Sequence, residues 1–352
     1  MKIGIIYRDR TKYANSINPH DSEGRDENPE VFAIANALSK IDCDIELVDI
    51  GDHPHEKLKN FSCDLAINLC DEGLRGSSSL EPHIPIIFDM LNIHHTGADY
   101  KCISTCNNKI RTKEILSYHK VKTPRFQAFQ TGLEKLSAKL EFPLIVKPSK
   151  EDGSIGIRQD SVVHNEDALF KKIEEVIKTY KQSALVEEYI EGREITVGII
   201  GNKHKIILPP METVFENYPE NSAKIYSYEA KWLEDTPFCK NLKYVSPPEM
   251  QKTVETKMKR IALKVFNLLG CTDYARVDFR INSSGELYVL EANPNPCLQP
   301  EDFLHCMGRS VGLSYDQIIY AIVKSAFERA GLKKLEDIHI ELKPVRRIEV
   351  RP

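Results

Sequence analysis

No stretch of this sequence approaches the roughly 20 consecutive apolar residues that a membrane-spanning helix needs, so no membrane partner is expected. The opening residues, MKIGIIYRDR, hold an apolar run too short for a secretory leader, and the run reads as a β-strand. Cysteine occurs nine times, an odd number, and never as CxxC. The closest pair, Cys102 and Cys106, has no Cys/His pair near it along the chain to complete a zinc site. These absences indicate a soluble protein of the reducing cytoplasm with free thiols. An excess of positive charge is also missing. The net charge of −4 gives no reason to expect a nucleic acid partner. There is no GxGxxG, no P-loop motif, no internal repeat and no Ser-His-Asp or Cys-His constellation.

What is present is ordinary globular composition, 41% hydrophobic and 28% charged, over 352 residues, enough for two or three domains. The first third alternates strand and helix. Ile3–Tyr7, DIELVDI and FSCDLAINLC read as strands, VFAIANALSK and HIPIIFDMLN as helices, and polar residues 9–30 as a long loop. This β-α-β-β-α order predicts a parallel α/β sheet. After Thr96-Gly97 a new unit begins. Asn107 is placed to cap a helix to about His119, with Lys109 and Lys113 one turn apart, and Thr123-Pro124 breaks it. FPLIVKPS, a helix over 167–180 and the strand ALVEEYI complete a small α+β unit.

The last third opens with strands ITVGIIG and KIILPP, and then an irregular stretch containing YSYEAKW. A helix follows with apolar positions Val254, Met258, Ile261 and Val265, ended by Gly270. A final helix starts at Ser314, with Gln317 closing a capping box and Leu313 as staple, and ends near Gly331. The tail from 332 alternates weakly and carries no motif.

Between these helices lie YARVDFRI and ELYVLEAN, joined by the turn Asn282–Gly285, which predicts an antiparallel hairpin. With Ile281 facing Glu286, Asp278 faces Val289 and Arg276 faces Glu291. The apolar face then holds Ala275, Val277, Phe279, Ile281, Tyr288, Leu290 and Ala292. The opposite face gathers Arg276, Asp278, Glu291 and Asn293, with Asp278 and Glu291 as diagonal neighbours. Two carboxylates and a carboxamide oxygen suit a hard divalent ion such as magnesium. A solvated sheet face is the plainer reading, although one without Lys or Thr is unusual for it.

Two further stretches bear on that choice. FPLIVKPSKEDGSIGI places Lys147 at the end of a strand before a loop with Gly153, Ser154 and Gly156, whose backbone N–H groups suit phosphate oxygens. ALVEEYIEGREITV sets Glu187 and Glu194 around a strand connection. Alone, each reads sooner as an ordinary hairpin loop or a solvated edge.

In this order, NKIRTK, LIVKPSKEDGSIG, VEEYIEGREITV, YEAKW, ARVDFR and LEANPNP resemble the ATP-grasp superfamily, most closely the D-alanine–D-alanine ligase-like proteins, from about Thr96 to Lys324. The resemblance implies an α/β and α+β chain. An open parallel α/β domain over 1–105 precedes a middle ATP-grasp subdomain over 106–185, a catalytic domain over 186–335 and a tail over 336–352. It implies ATP, two magnesium ions (manganese as an alternative), a small-molecule acid and amine, and a homodimer. Lys109 and Lys147 match lysines on the α- and β-phosphates, and Gly153, Ser154 and Gly156 match the flap over them. Glu187 matches the acid at the adenine amino group, with the backbone of Glu188 and Ile190 on the base edge, and Glu194 matches the ribose ligand. Lys231 matches a mobile-loop lysine at the γ-phosphate. Asp278, Glu291 and Asn293 match the metal ligands, and Arg276 the arginine that stabilises the transferring group.

The implied activity is amide formation through an acyl phosphate. The resemblance also shows departures. The family's Gly-rich start with its Ser and Glu is missing from YRDRTKYANS, and its His-Gly pair is replaced in INLCDEG. Gly153 stands where the first flap serine belongs. Cys297 stands at the oxyanion-hole glycine, and Asp302 at the serine that binds the second substrate's carboxylate. A carboxylate at 302 repels a carboxylate substrate, so substrates other than two D-alanines are expected. True D-alanine–D-alanine ligation and a non-catalytic nucleotide-binding module are the alternatives.

Overall fold

The structure, a computed structural model, describes residues 1–9, 28–332 and 342–351. Most of the expected 9–30 loop and residues 333–341 lie outside these. The chain starts with β1 (Lys2–Tyr7), α1 (Pro29–Leu38), β2 (Asp44–Asp49), α2 (Pro54–Leu58), β3 (Leu65–Leu69) and α3 (His83–Met90). β1 lies between β2 and β3 and is parallel to both, with Ile5 opposite Leu47 and Ile67. The short helix α2, unmarked in the sequence reading, supplies the crossover that parallel β2 and β3 require.

α4 (Tyr100–Cys106) and α5 (Lys109–Tyr118) follow, then β4 (Phe126–Phe129), β5 (Leu144–Pro148), β6 (Val162–Val163), α6 (Glu166–Tyr180) and β7 (Ala184–Glu188). The expected cap at Asn107 is displaced by one residue. Asn108 accepts from Arg111 N–H and starts α5, while Asn107 ends α4 and donates to Ser78 O and Glu81. α5 also stops before Thr123-Pro124, because Lys120 turns the chain at φ 56°. The four strands form a sheet in the order β4-β7-β5-β6, with α6 burying Leu169, Ile173 and Val176 on it.

The remainder comprises β8 (Arg193–Ile200), β9 (Ile206–Ile207), β10 (Met211–Phe215), α7 (Tyr228–Trp232), α8 (Pro237–Lys240), β11 (Leu242–Ser246), α9 (Lys252–Leu268), β12 (Tyr274–Ile281), β13 (Leu287–Pro294), α10 (Phe303–Ser310), α11 (Tyr315–Ala330) and β14 (Ile348–Val350). YEAKW is thus helical rather than irregular, capped by Ser227. Part of the tail forms β14, an edge strand on β11. The sheet runs β13-β12-β8-β10-β11-β14, with β9 beside β8. One face carries Ile195, Val197, Ile199, Val277, Phe279 and Val289 and is covered by Met258, Ala262, Val265 and Phe266 of α9. Their spacing is one helical stripe, and burying a side chain the size of Phe266 contributes about 1.5–3 kcal/mol.

α10 and α11 pack between this sheet and the first-third elements α1, β1 and β3. The capping box of Ser314 and Gln317 starts α11, as expected, and Gly331 ends it in the left-handed region.

The hairpin register differs from the expectation. Ile281 pairs with Leu287 and Phe279 with Val289, but Asp278 pairs with Glu291 and Arg276 with Asn293. Leu290 is therefore an extra residue, a β-bulge. Leu287 and Val289 face the core rather than Tyr288 and Leu290, and the bulge returns Ala292 to the core side.

Candidate active site

The bulge at Leu290 decides which side Glu291 occupies. Without it, strict alternation after the buried Val289 would turn Glu291 into the core. With it, Glu291 and Asn293 stand on the polar face beside Arg276 and Asp278, as direct rather than diagonal partners. Asn293 Nδ2 donates to Asp278 Oδ2 at 2.8 Å, which leaves its carbonyl oxygen directed elsewhere, and Thr196 Oγ1 donates to Asp278 Oδ1 at 2.7 Å. Thr196, on β8, was not singled out from sequence; its position opposite Asp278 emerges from strand pairing alone.

Charge is concentrated here. Burial, with Glu291 opposite adding to it and Arg276 opposing it, pushes the Asp278 carboxyl up to about 6. Burial also works against the Glu291 charge, but Lys109, with Nζ 2.6 Å from Oε2, holds that carboxyl at about 2. Burial likewise opposes the Arg276 charge, yet Asp278, Asp302 and Asp152 hold it above the usual range. The Arg276 guanidinium lies over the Phe303 ring at 5.0 Å, and its Nε is buried without a hydrogen-bond partner. The nearest anion to that Nε is Asp278, with Oδ2 at 3.7 Å, beyond hydrogen-bond reach.

Lys109 is the first residue of α5, and its N–H donates to Ser149 O, tying the helix start to the end of β5. Glu187 is 1% exposed and is clasped between Lys113 Nζ, 2.6 Å from Oε2, and Lys147. Lys113 thus joins the cluster, and its helical spacing from Lys109 was the available signal. Glu188 points its carboxylate at Arg125, and its N–H donates to Arg125 O. Ile190 lies in the connection between β7 and β8. Glu194 pairs with Arg280 at 2.9 Å across β8 and β12.

The residues expected to form the flap meet the α7 segment. Ser154, at φ 63°, donates from Oγ to Tyr226 O at 2.7 Å, and Trp232 Nε1 donates to Gly153 O at 2.8 Å. Gly156, at φ 75°, leaves no room for a Cβ, which would lie 2.4 Å from Pro148 Cγ. Lys231 Nζ sits 5.2 Å from the Tyr226 ring centroid, and burial followed by Arg276 lowers its pKa.

Beyond Asn293 the loop is fixed by residues the sequence did not mark. Glu30 Oε1 accepts from Leu298 N–H at 2.6 Å, and Tyr315 OH donates to Leu298 O at 2.7 Å. Asn295 Oδ1 accepts from Ala98 N–H at 2.7 Å, and Gly97 beside it has no space for a side chain. Cys297 is half-buried, and burial pushes its thiol well above the usual value, so it lacks the thiolate that a nucleophile needs. Asp302 is the N-cap of α10 and accepts from Phe303 N–H at 2.5 Å.

The family described as "D-ala D-ala ligase C-terminus" matches residues 114–324. The chain is 30% identical over 305 residues to a D-alanine–D-alanine ligase of Carboxydothermus hydrogenoformans, covering 84% of this chain and 92% of that protein. It is 33% identical over 258 residues, 73% of each protein, to an uncharacterized protein y4sG of Sinorhizobium fredii. The chain belongs to the D-Ala-D-Ala ligase family. The ATP-complexed D-alanine–D-alanine ligase of Bacillus anthracis shares the fold, with a TM-score of 0.71 at 21% identity over 94% of this chain and 98% of that one. So does the VanG D-Ala:D-Ser ligase of Enterococcus faecalis, with a TM-score of 0.70 at 19% identity over 92% and 99%.

As a D-Ala-D-Ala ligase family member the protein is an ATP-dependent, ADP-forming ligase that uses Mg2+. The ATP-grasp assignment and the parallel α/β start are borne out. Two carboxylates with an oriented carboxamide oxygen fit Mg2+, which takes hard oxygen ligands and supplies charge neutralisation for phosphoryl transfer. No helix among the described residues is long and apolar enough to cross a membrane.

Proposed function

We propose that the protein joins D-alanine to a second D-amino acid, D-alanine in the first instance. In the first step a substrate carboxylate oxygen attacks the γ-phosphorus of ATP, the bond to ADP breaks, and an acyl phosphate forms. The neutral amine of the second substrate then attacks the acyl carbon; phosphate leaves, a proton is lost, and the amide remains. Arg276 and Lys231 neutralise the transferring group, Lys109, Lys147 and the Gly153–Gly156 flap hold the phosphates, and Asp278, Glu291 and Asn293 hold Mg2+. Glu187 and the backbone of Glu188 and Ile190 receive adenine, and Glu194 the ribose. Flap closure keeps water from the acyl phosphate.

The observation that carries this reading is the convergence of Arg276, Asp278, Glu291 and Asn293 on one face through the Leu290 bulge. The expectation of different substrates rested on all the departures in the substrate set, and the one at Asp302 loses ground. Asp302 caps α10, a task that Ser and Asp perform alike, and the relatives named above include D-alanine–D-alanine ligases. A second reading, an acceptor amine without a free carboxylate, retains one observation in its favour: the Asp302 charge bears on Arg276 and Lys231.

Phosphate release with ATP and Mg2+ is to be measured against single D- and L-amino acids, amines and dipeptides, with products identified by mass spectrometry. D-Alanine is expected to stimulate release and yield the dipeptide. Release that requires an amine lacking a carboxylate, supplied together with an amino acid as the carboxylate donor, overturns the D-alanine reading in favour of the second. Homodimerisation, which rests on family resemblance, is checked by light scattering.

A further inference from the structure

Far in sequence from Cys102 and Cys106, a third thiol completes what their spacing alone lacked. Cys102 and Cys106 lie one turn apart on α4, and Cys271 sits between the end of α9 and β12. The Cys102 and Cys106 sulfurs are 4.0 Å apart, and Cys102 Sγ donates to Cys271 Sγ at 3.7 Å. All three sulfurs lie within 4.8 Å of one another, and no other such group of metal-ligating side chains occurs among the described residues. We propose that Cys102, Cys106 and Cys271 form a site for a soft, thiophilic metal ion such as Zn2+.

Two of the three sulfur separations already match such an ion. Zinc–sulfur bonds of about 2.3 Å place sulfurs about 3.8 Å apart in a tetrahedral site and about 4.0 Å apart in a trigonal one. Sulfur-only ligation selects zinc, copper(I) or cadmium over magnesium, so this centre is chemically separate from the carboxylate face. Its surroundings, including Ile103, Leu116, Val121, Phe266 and Leu269, are apolar, and the thiols are 2%, 4% and 6% exposed. Those walls exclude competing water ligands and hold the sulfurs in place. Ligation exchanges thiol protons for the ion and releases them to solvent; no electron is transferred. Packing alone places single cysteines in cores as small apolar residues, but it gives no reason for three to converge from two separate segments.

The site joins two walls of the nucleotide cleft. α4 leads directly into α5, which carries Lys109 and Lys113, and Cys271 precedes β12, which carries Arg276 and Asp278. A bound ion therefore clamps these segments together and stabilises the native chain by mass action.

The test titrates Cd2+ into the full-length, reduced protein with Mg2+ in large excess. A saturable thiolate-to-cadmium charge-transfer band at one equivalent, with a rise in Tm, is expected. The variant C106S/C271S is expected to lose the band, and C43S/C63S/C239S to keep it. Should the first variant fail to fold, X-ray absorption of the wild-type Cd2+ complex supplies the sulfur count. A shell of three sulfurs supports the site. No band, a band that survives in a folded C106S/C271S, or a shell of oxygen and nitrogen alone overturns it.

Discussion

Asp278 and Glu291 face each other directly across β12 and β13, although alternation counted from the buried Val289 would put Glu291 on the opposite side of the sheet. The extra residue Leu290 makes the difference. Deleting Leu290 is expected to turn Glu291 inward and to abolish turnover. Glu291→Gln keeps the backbone and is expected to lower kcat by at least about 100-fold with Tm largely unchanged. Near-normal steady-state kinetics for Glu291→Gln would refute the metal role.

The same pair ties metal binding to stability. Without metal, the Asp278 carboxyl is pushed from 3.8 up to about 6 by burial. Between those values the folded chain keeps a proton that the unfolded chain has released. Stability therefore falls as pH rises through that window, and the penalty is complete above it. Asp278→Asn removes it, so Tm of the metal-free protein at neutral pH is expected to rise by about 2–6 °C. The gap should close near pH 4, and Mg2+ should stabilise the wild type alone. Scanning calorimetry at several pH values checks this; a pH-independent gap counts against it.

Glu187 neutralises the buried Lys113 and the half-buried Lys147. Glu187→Gln leaves Lys113 and Lys147 without their shared counter-charge and is expected to cost about 3–5 kcal/mol. Adding Lys113→Met should recover much of that loss, because one of the stranded charges is then gone. Urea unfolding of both variants measures the difference, and simple additivity would show that the lysines do not share this acid.

Trp232 Nε1 donates to Gly153 O, in the loop proposed as the flap. Trp232→Phe keeps the ring and removes the donor. We expect KM for ATP to rise about tenfold, the equivalent of one hydrogen bond of about 1.4 kcal/mol, and ATP hydrolysis uncoupled from amide formation to increase. Unchanged coupling would show that the bond is incidental.

Asp302→Ser keeps a capping oxygen, so Tm should change little, whereas Asp302→Ala should cost about 1 kcal/mol. On the D-alanine reading, Asp302→Ser lowers KM for the acceptor D-alanine by removing a like charge. A raised KM instead assigns Asp302 a positive role in holding the acceptor.

Much of the fold was legible beforehand. Strand period and helix caps marked the elements, and the family resemblance supplied the proposed roles of Lys109, Lys147, Arg276, Asp278, Glu291 and Asn293 on them. The register was not legible, since a bulge leaves no mark in an alternating run of Tyr, Val and Leu. Nor were Thr196, Glu30, Tyr315 and Asn295, whose partners lie far away along the chain.

The sequence by itself determined the parallel α/β start, the existence of the hairpin and the capping box of α11. Each follows from local steric preference or from a period of two or 3.6 residues. Tertiary structure alone decided that Glu291 meets Asp278, that Asp302 is a cap, and that Cys271 joins Cys102 and Cys106. Those outcomes depend on where separate segments pack, and packing is set by the whole core rather than by neighbours along the chain.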